Sequence, residues 1–316
     1  MSYTAPTIAD CVTHTKRLLN SNTRTERDAV GNADGSAEAL TTSSTSVKLA
    51  HKTDGVRAGS YISLSDGTNP AETMYVHSRN GEYVTVARGI DGSAGYAWPE
   101  GTVIEVEPRF TEFQILEAVR DAIRALPNNL YAVSTTSVDF ASTSTQTVTS
   151  SAIASTGFYH VISATRTARS SEDRLLNINI DVQRHTDGTF KVIRREGIEK
   201  SVTAYIRYAH PFVTTALNMA TLLDDDIKME DSMRDIPALG AASALVLAEE
   251  SLRLDLHSQG DSRSEGAVAA GDRTRYSLML QAQYDRRISE EARRLMSLYG
   301  IRDRAGVSSI HPTTLL

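Results

Sequence analysis

The sequence predicts an α+β protein: an antiparallel helical bundle with two inserted antiparallel β modules, each a small barrel or sandwich. Two stretches, 46–108 and 137–210, alternate apolar and polar residues with the period of a β-strand. Strand clusters separated by single helices do not fit a parallel βαβ sheet, so the helices are expected to form the common core. The segments assigned to this core are 1–20, 109–127 and 235–300, and residues 301–316 are expected to form a flexible C-terminal tail.

The N-terminal part begins with a predicted helix over residues 7–20, for which Thr7 is the expected cap. Residues 21–45 are rich in Ser, Thr, Gly and Asp, and they predict a loop that becomes ordered on binding a partner. From Val47 onward short strands are expected, and Asn80-Gly81 predicts a two-residue hairpin. The strand segments are VKLAH, SYISLSD, ETMYVHSR, EYVTVARG and TVIEVEP.

The middle of the chain predicts an amphipathic helix over 109–127, capped by Thr111. Its apolar residues recur at spacings of three and four: Phe113, Leu116, Val119, Ile123 and Leu126. A second β region is expected from about residue 138 to 208, with Asp187-Gly188 as a hairpin turn.

Two helices are predicted towards the C-terminus, separated by a polar segment. Asp235 is the expected cap of the first helix, and Pro237 lies in the first turn, where proline is favoured. The last helix is expected from about residue 272 to 299. Its predicted apolar side consists of Tyr276, Met279, Leu280, Ile288, Leu295 and Leu298.

Composition and charge argue against several classes of function. The net charge is −6 over 316 residues, so the molecule as a whole is not built to coat nucleic acid. The single cysteine, Cys11, allows no intrachain disulfide, and its helical setting predicts a small buried hydrophobe rather than a reactive thiol. The sequence shows no secretory signal and no apolar run of about eighteen residues, so we expect synthesis in a reducing cytoplasm and no membrane span.

The stretch TVARGIDGSAGYAWPEGTVIEVEP, residues 85–108, fits neither of two catalytic motifs. A phosphate-binding P-loop requires Lys-Ser or Lys-Thr after its glycines, and neither follows here. A nucleophile elbow requires glycine at the position of Asp91 and a helix after Ser93, whereas Trp98-Pro99 and a strand follow. The glycines are therefore predicted to serve turns, and we predict no catalytic residue and no cofactor.

A metal site is not predicted either. The segment LLDDDIKMEDSMRD lacks the glycine of an EF-hand loop, so a solvated acidic connector is favoured. A contact surface for a basic partner is the alternative for its carboxylates, Asp224, Asp225, Asp226, Glu230, Asp231 and Asp235. The eight histidines show no recognised ligand spacing.

The last predicted helix carries the candidate contact residues of the chain. They are Arg273, Arg275, Arg286, Arg287, Arg293 and Arg294. Acidic residues are interleaved with these arginines, which is typical of a solvated helix face with i,i+4 ion pairs. The alternative is an arginine-lined contact with DNA or with a neighbouring subunit, and both interpretations stay open at this point.

Two segments carry a pattern that points to a family. In the first, a strand ends in Ala-Arg-Gly and is followed by Asp-Gly-Ser, a stretch of small residues and Gly-Thr before the next strand. The residues concerned are Arg88, Gly89, Asp91, Gly92, Ser93, Gly101 and Thr102. In the second segment, Ile-Pro precedes an alanine-rich helix in DIPALGAASALVLAEESLR, and a further helix follows. These segments, roughly half of the chain, resemble the head-to-tail adaptor (connector) proteins of tailed bacteriophages, whereas the second β region departs from small adaptors.

The resemblance implies a structural virion protein rather than an enzyme, located in the neck between capsid and tail and made in the host cytoplasm. It implies a homo-oligomeric ring, commonly of about twelve subunits, that docks below the portal protein and contacts tail or neck proteins. The ring would enclose the channel for DNA, and an acidic chain suits DNA that slides through without sequence-specific binding. The candidate portal-contacting residues lie in the tail: Ile310, Leu315 and Leu316.

Two alternatives stay open. One is another neck or tail protein, in which the second β module anchors fibres. The other is a carbohydrate-directed enzyme or lectin, in which an exposed Trp98 or Tyr96 on a β module contacts the sugar.

Overall fold

The computed structural model of the chain is a mixed α/β structure. It describes residues 6–19, 26–31, 39–67, 69–140, 158–165, 180–184, 190–194, 202–213, 217–258 and 272–299. The helices in this part of the chain are α1 (Ile8–Leu19), α2 (Glu112–Arg124), α3 (Asp235–Ser258) and α4 (Asp272–Tyr299). The strands are β1 (Glu26–Ala29), β2 (Ser46–Lys48), β3 (Tyr61–Ser65), β4 (Glu72–Asn80), β5 (Tyr83–Ala87), β6 (Val103–Val106), β7 (Ala132–Phe140), β8 (His160–Thr165), β9 (Ile180–Arg184), β10 (Phe190–Arg194) and β11 (Val202–His210).

The chain divides into two compact units. The first unit comprises Met1–Ala125, Thr214–Ile227 and Asp231–Arg287. The second unit comprises Leu126–Val213, Lys228–Glu230 and Ile288–Leu316. The first unit therefore contains β1 to β6, α1 to α3 and the beginning of α4, whereas the second contains β7 to β11 and the end of α4.

The sheet of the first unit is a curled antiparallel half-barrel of six strands in the order β1-β6-β3-β4-β5-β2. Alternate residues of its strands form an apolar core, as the period of two predicts. The buried members of this core include Val47, Ile62, Leu64, Met74, Val76, Val84, Val86, Trp98, Ile104 and Val106. The predicted two-residue hairpin is confirmed, but its turn lies one residue later than predicted, at Gly81-Glu82 instead of Asn80-Gly81.

The edge strand β1 lies within the segment that we predicted as a loop, so that prediction is wrong for residues 26–29. β1 pairs with β6 in antiparallel register. The buried carboxylate of Asp28 holds this edge, because it accepts backbone N–H groups of Ala29, His51 and Thr53 at 2.7 to 2.9 Å. A polar segment can thus join a sheet when a side chain satisfies the neighbouring backbone.

The predicted helical bundle with inserted β modules is wrong as a description of the fold. The structure has four helices in its described part, together with the six-stranded half-barrel and a three-stranded sheet. In the first unit α1, α2 and α3 pack together, and α2 also packs on β3 and β4. The physical reason is that the strands bury a complete apolar face of their own, so the sheet is a layer of the unit rather than an insertion.

The local predictions for the helices hold better. The side chain of Thr7 accepts the backbone N–H of Asp10 at 3.3 Å, and that of Thr111 accepts the N–H of Gln114 at 3.2 Å. The caps expected at Thr7 and Thr111 are therefore confirmed, and at Thr111 the Gln114 side chain completes a capping box. Asp235, the third expected cap, is instead the first helical residue of α3, and its carboxylate binds Arg287. The apolar side of α2 is buried at Ile115, Leu116, Val119, Ala122 and Ile123.

The second unit contains a three-stranded antiparallel sheet in the order β7-β11-β8, and β9 pairs with β10. Its core is formed by side chains of all five strands: Val138, Phe140, Ala164, Ile180, Val192, Ala204, Ile206 and Tyr208. The Asp187-Gly188 turn lies outside the described residues.

Candidate functional site

The glycine-rich stretch between β5 and β6 forms a corner of the half-barrel. Gly89, Gly92 and Gly101 have φ values of 66°, 84° and 80°, a region that favours glycine. A Cβ atom on Gly89 would lie 2.9 Å from the carbonyl oxygen of Ser93. The prediction that these glycines serve turns is confirmed.

A buried ion pair holds this corner in place. Arg88 Nε donates to Glu72 Oε1 at 2.8 Å, and Arg88 Nη2 donates to Oε2 at 2.5 Å. The side chain of Glu72 is fully buried and that of Arg88 is 9% exposed. Glu72 Oε2 also accepts the indole N–H of Trp98 at 2.7 Å and the backbone N–H of Tyr96 at 3.2 Å. Both carboxylate oxygens therefore have charge-assisted partners.

Arg88 also fixes a segment that precedes β2. Its guanidinium donates to the carbonyl oxygens of Thr41, Ser44 and Tyr96. Beside it, the backbones of Leu40 and Trp98 exchange two hydrogen bonds of 2.9 Å. A single arginine thus connects the start of β4, the segment 40–44 and the corner after β5.

This corner is suited to a structural role rather than to a catalytic one. Glu72 is closed off from solvent and bound by Arg88, so it has no access to a substrate proton. Trp98 is fully buried, with its indole N–H on Glu72, and Tyr96 packs edge-on against it at 6.0 Å between ring centroids. The expectation of an exposed Trp98 that contacts a sugar is wrong, because the indole belongs to the core.

A second charged cluster joins the helices to the sheet. Lys16 Nζ on α1 lies 3.1 Å from Glu105 Oε2 on β6, and it also donates to Glu112 on α2. Glu112 accepts the hydroxyl of Ser65 at the end of β3. The carboxylates of Glu105 and Glu112 are 12% and 8% exposed, so Lys16 stabilises two charges that would otherwise be costly to bury.

A cleft of about 940 Å³ lies between α1 and residues 231–235 of the first unit. Two of its carboxylates are paired: Asp231 with Arg234 at 3.5 Å, and Asp235 with Arg287 at 2.7 Å. Cys11 lines the cleft, is 2% exposed as a residue, and burial raises the pKa of its thiol to about 12. The predicted buried character of Cys11 is confirmed, and a thiol with this pKa is not a nucleophile at neutral pH.

The six predicted contact arginines have different environments. The side chain of Arg273 lies outside the described residues, as do the tail residues Ile310, Leu315 and Leu316. Arg287 binds Asp235 in the first unit, and Arg294 binds Glu230 and Glu291 in the second. The arginines with exposed positions are Arg275, Arg286 and Arg293.

The acidic connector forms a defined turn in the first unit. Asp226 Oδ2 accepts the backbone N–H of Leu222 at 2.8 Å, and Asp224 Oδ1 accepts that of Asp225 at 2.9 Å. Both Asp225 and Asp226 are exposed. These side chains therefore shape the turn and also present negative charge to solvent.

Sequence reasoning missed part of the exposed surface of α4. Met279 and Leu298 were predicted on the apolar side, but they are 48% and 59% exposed, whereas Leu280 is 1% exposed. Leu278, at 64% exposed, was not singled out. The available signal was the run Leu278-Met279-Leu280, because three consecutive residues of a helix cannot all point to one side.

No protein-family model matches the chain, and no curated protein is significantly similar to it. Within the described ranges, no three His, Cys, Asp or Glu side chains are grouped so that they could hold a metal ion. The helices of those ranges are also too short or too polar to cross a membrane.

Proposed function

We propose that this chain is a structural virion protein, a head-to-tail adaptor of a tailed bacteriophage that forms a ring below the portal. The observation that carries this proposal is the buried corner of Arg88, Glu72 and Trp98. The resemblance to adaptors lies in the stretch that forms this corner, and its arginine and glycines act in folding the chain. A motif of this kind favours a building block over an enzyme.

A ring of such subunits would need a rigid subunit, and two charged clusters support that property. Arg88 connects three chain segments, and Lys16 connects α1 and α2 to the sheet. The net charge of −6 supports a channel through which DNA passes without tight binding. The proposed partners are other copies of the chain, the portal protein and further neck or tail proteins.

The proposal is tested by the mass of the purified protein, measured by light scattering over a range of concentrations and followed by negative-stain imaging. We expect a multi-subunit species that appears as a ring with a central hole. A protein that stays monomeric at every concentration, and that also fails to bind the portal ring of its own phage, would contradict the proposal. Binding of a glycan by that monomer would favour the carbohydrate-directed alternative.

A further inference from the structure

Exposed apolar side chains in the first unit lie on its sheet, at Tyr61, Tyr83 and Val103, and also on its C-terminal helices. Of the described residues there, the large hydrophobic ones that are exposed on helices are Leu247 on α3 and Leu278 and Met279 on α4, at 55%, 64% and 48%. Each is a side chain that a subunit would normally bury if it had a partner surface to bury it against. These residues therefore mark a candidate interface.

The contact between α3 and α4 shows which side of α4 is turned outwards. The Ser277 hydroxyl donates to the carbonyl oxygen of Ser243 at 3.0 Å, and Leu280 is buried. The exposed residues Leu278, Ala282 and Arg286 follow one another at i,i+4 spacing, so they form one row along the helix. Arg275 and Met279 are exposed beside this row. We call these five residues the α4 face.

We propose that the α4 face is the docking surface for a second copy of this chain, whose acidic turn at Asp224, Asp225 and Asp226 contacts the arginines. This inference rests on the proposed ring and specifies one of the surfaces that would form it. The proposed partner on the α4 face is a second copy of this chain rather than DNA.

Charge and apolar character together support this occupant. Apolar Leu278 and Met279 lie between Arg275 and Arg286 along the helix, which gives an apolar centre with a charged rim, as in protein–protein interfaces. The exposed carboxylates of the acidic turn, at Asp225 and Asp226, are complementary in charge to the exposed arginines of the α4 face. The turn offers Asp225 and Asp226 in a shape already fixed by its own hydrogen bonds.

The proposed contact uses two different surfaces of the subunit. The α4 face and the acidic turn belong to separate elements, so each copy would offer one surface to each of its two neighbours. Such a contact is heterologous, and it produces a closed ring when the rotation between successive copies closes. A two-fold dimer would instead bring the same surface of both copies together.

The first experiment measures self-association of Leu278→Glu by light scattering and sedimentation. We expect at least about tenfold weaker association than in the wild type, because a carboxylate would replace an apolar contact in a desolvated centre. The matched control is Leu298→Glu, which changes a residue of similar exposure on the same helix, about 200° around the axis. The control is expected to assemble like the wild type, and circular dichroism checks the folding of both variants.

The second experiment exchanges the charges. We expect Arg275→Glu/Arg286→Glu and Asp224→Arg/Asp225→Arg each to lose self-association, because like charges then face each other. A mixture of the two double variants restores opposite charges at every contact, so we expect it to assemble again with alternating subunits. The control Arg17→Glu/Arg124→Glu makes the same charge change elsewhere in the first unit. We expect this control to self-associate like the wild type, without a second variant being added.

The outcomes distinguish a failure of the proposed docking surface from a failure of the proposed ring. If the wild type forms rings and Leu278→Glu and both double variants also do, the proposed docking surface is wrong while the ring stands. A wild type that never associates, with itself or on the portal, overturns both proposals. If the wild type binds a DNA duplex and Arg275→Glu/Arg286→Glu abolishes that binding without affecting self-association, the face is a DNA contact and the inference is overturned.

Discussion

The sheets of the two units bury titratable side chains in opposite charge states. The sheet of the first unit buries two carboxylates that have partners: Glu72 binds Arg88, and Asp28 accepts three backbone N–H groups. In the sheet of the second unit a buried titratable side chain is a neutral imidazole. His210 is fully buried and lies 2.7 Å from the carbonyl oxygen of Pro211 and 2.9 Å from the hydroxyl of Ser134.

This difference fixes which charge state each sheet requires. A carbonyl oxygen only accepts, so Nδ1 of His210 carries the proton and Nε2 accepts the Ser134 hydroxyl. Burial lowers the pKa of His210, and Lys228 lowers it further against the raising effect of the Pro211 hydrogen bond. The first sheet thus depends on charge being present, and the second on charge being absent.

The largest expected effect comes from removing the carboxylate of the first sheet. Glu72→Ala leaves Arg88 buried without its counter-charge, so we expect a loss of about 3–5 kcal/mol in the free energy of unfolding. Urea unfolding at neutral pH, followed by circular dichroism, measures it. Glu82→Ala is the control, because Glu82 is in a more exposed pair, 4.0 Å from Lys52. A loss below about 1 kcal/mol for Glu72→Ala would show that Arg88 finds other partners.

A smaller effect is expected when only the indole is changed. Trp98→Phe removes the N–H bond to Glu72 and part of a buried ring, but it keeps the Arg88 pair intact. We expect a loss of about 2 kcal/mol in the free energy of unfolding, from the lost hydrogen bond and the smaller side chain. The same urea titration tests this value. A loss as large as that of Glu72→Ala would mean that the indole, rather than the ion pair, holds the corner.

The features that the sequence predicts correctly are those set by neighbouring residues. The cap of α2 depends on Thr111 and Gln114, three positions apart, and α4 has the predicted limits of residues 272 and 299. The hairpin around Gly81 is likewise local. Short-range chemistry of this kind acts before any tertiary contact is formed, so pattern alone identifies it.

The features that the sequence could not predict depend on distant partners. Glu72 and Arg88 are 16 positions apart, and no local pattern indicates that they pair or that Trp98 is buried beside them. β1 pairs with β6, about 77 positions away, and Asp28 stabilises this edge by accepting backbone N–H groups of residues 51 and 53. The prediction of a helical bundle is wrong for the same reason, because it depends on contacts between distant residues. Periodicity shows that a sheet has an apolar face, but it does not show which layer covers that face.

The two sheets are also expected to respond to acid at different pH values. The pKa of His210 and that of His160 are lowered by burial, so their contribution is complete above about pH 6.5 and is lost as pH falls through the folded pKa. Burial alone would raise the pKa of Asp28, but its backbone hydrogen bonds lower it overall, so its contribution is lost only at more acidic pH. Each group changes the stability by at most about 1.4 kcal/mol per pH unit.

Hydrogen exchange from pH 7.5 to 4 separates these responses. We expect amides of β7, β8 and β11 to lose protection as the pH falls below about 6.5 and through the lowered pKa of these histidines, while those of β3, β4 and β6 keep it. In His210→Asn the amide nitrogen can still donate to Pro211, and the variant should lose part of the pH dependence because His160 still titrates. Loss of protection in both sheets at the same pH would contradict the distinction between them.

The smallest expected effect comes from removing a carboxylate of the second sheet. Asp139 is exposed on β7, where it accepts the Thr203 hydroxyl of β11 at 2.6 Å from the directly opposite position. We expect Asp139→Ala to lower the free energy of unfolding by only about 0.5 kcal/mol, because water solvates whichever partner is left. Urea unfolding with a probe in the second unit measures it. Since Asp139→Ala and Glu72→Ala both remove a hydrogen-bonded carboxylate, a similar loss in the two variants would show that burial does not set the difference between the two sheets.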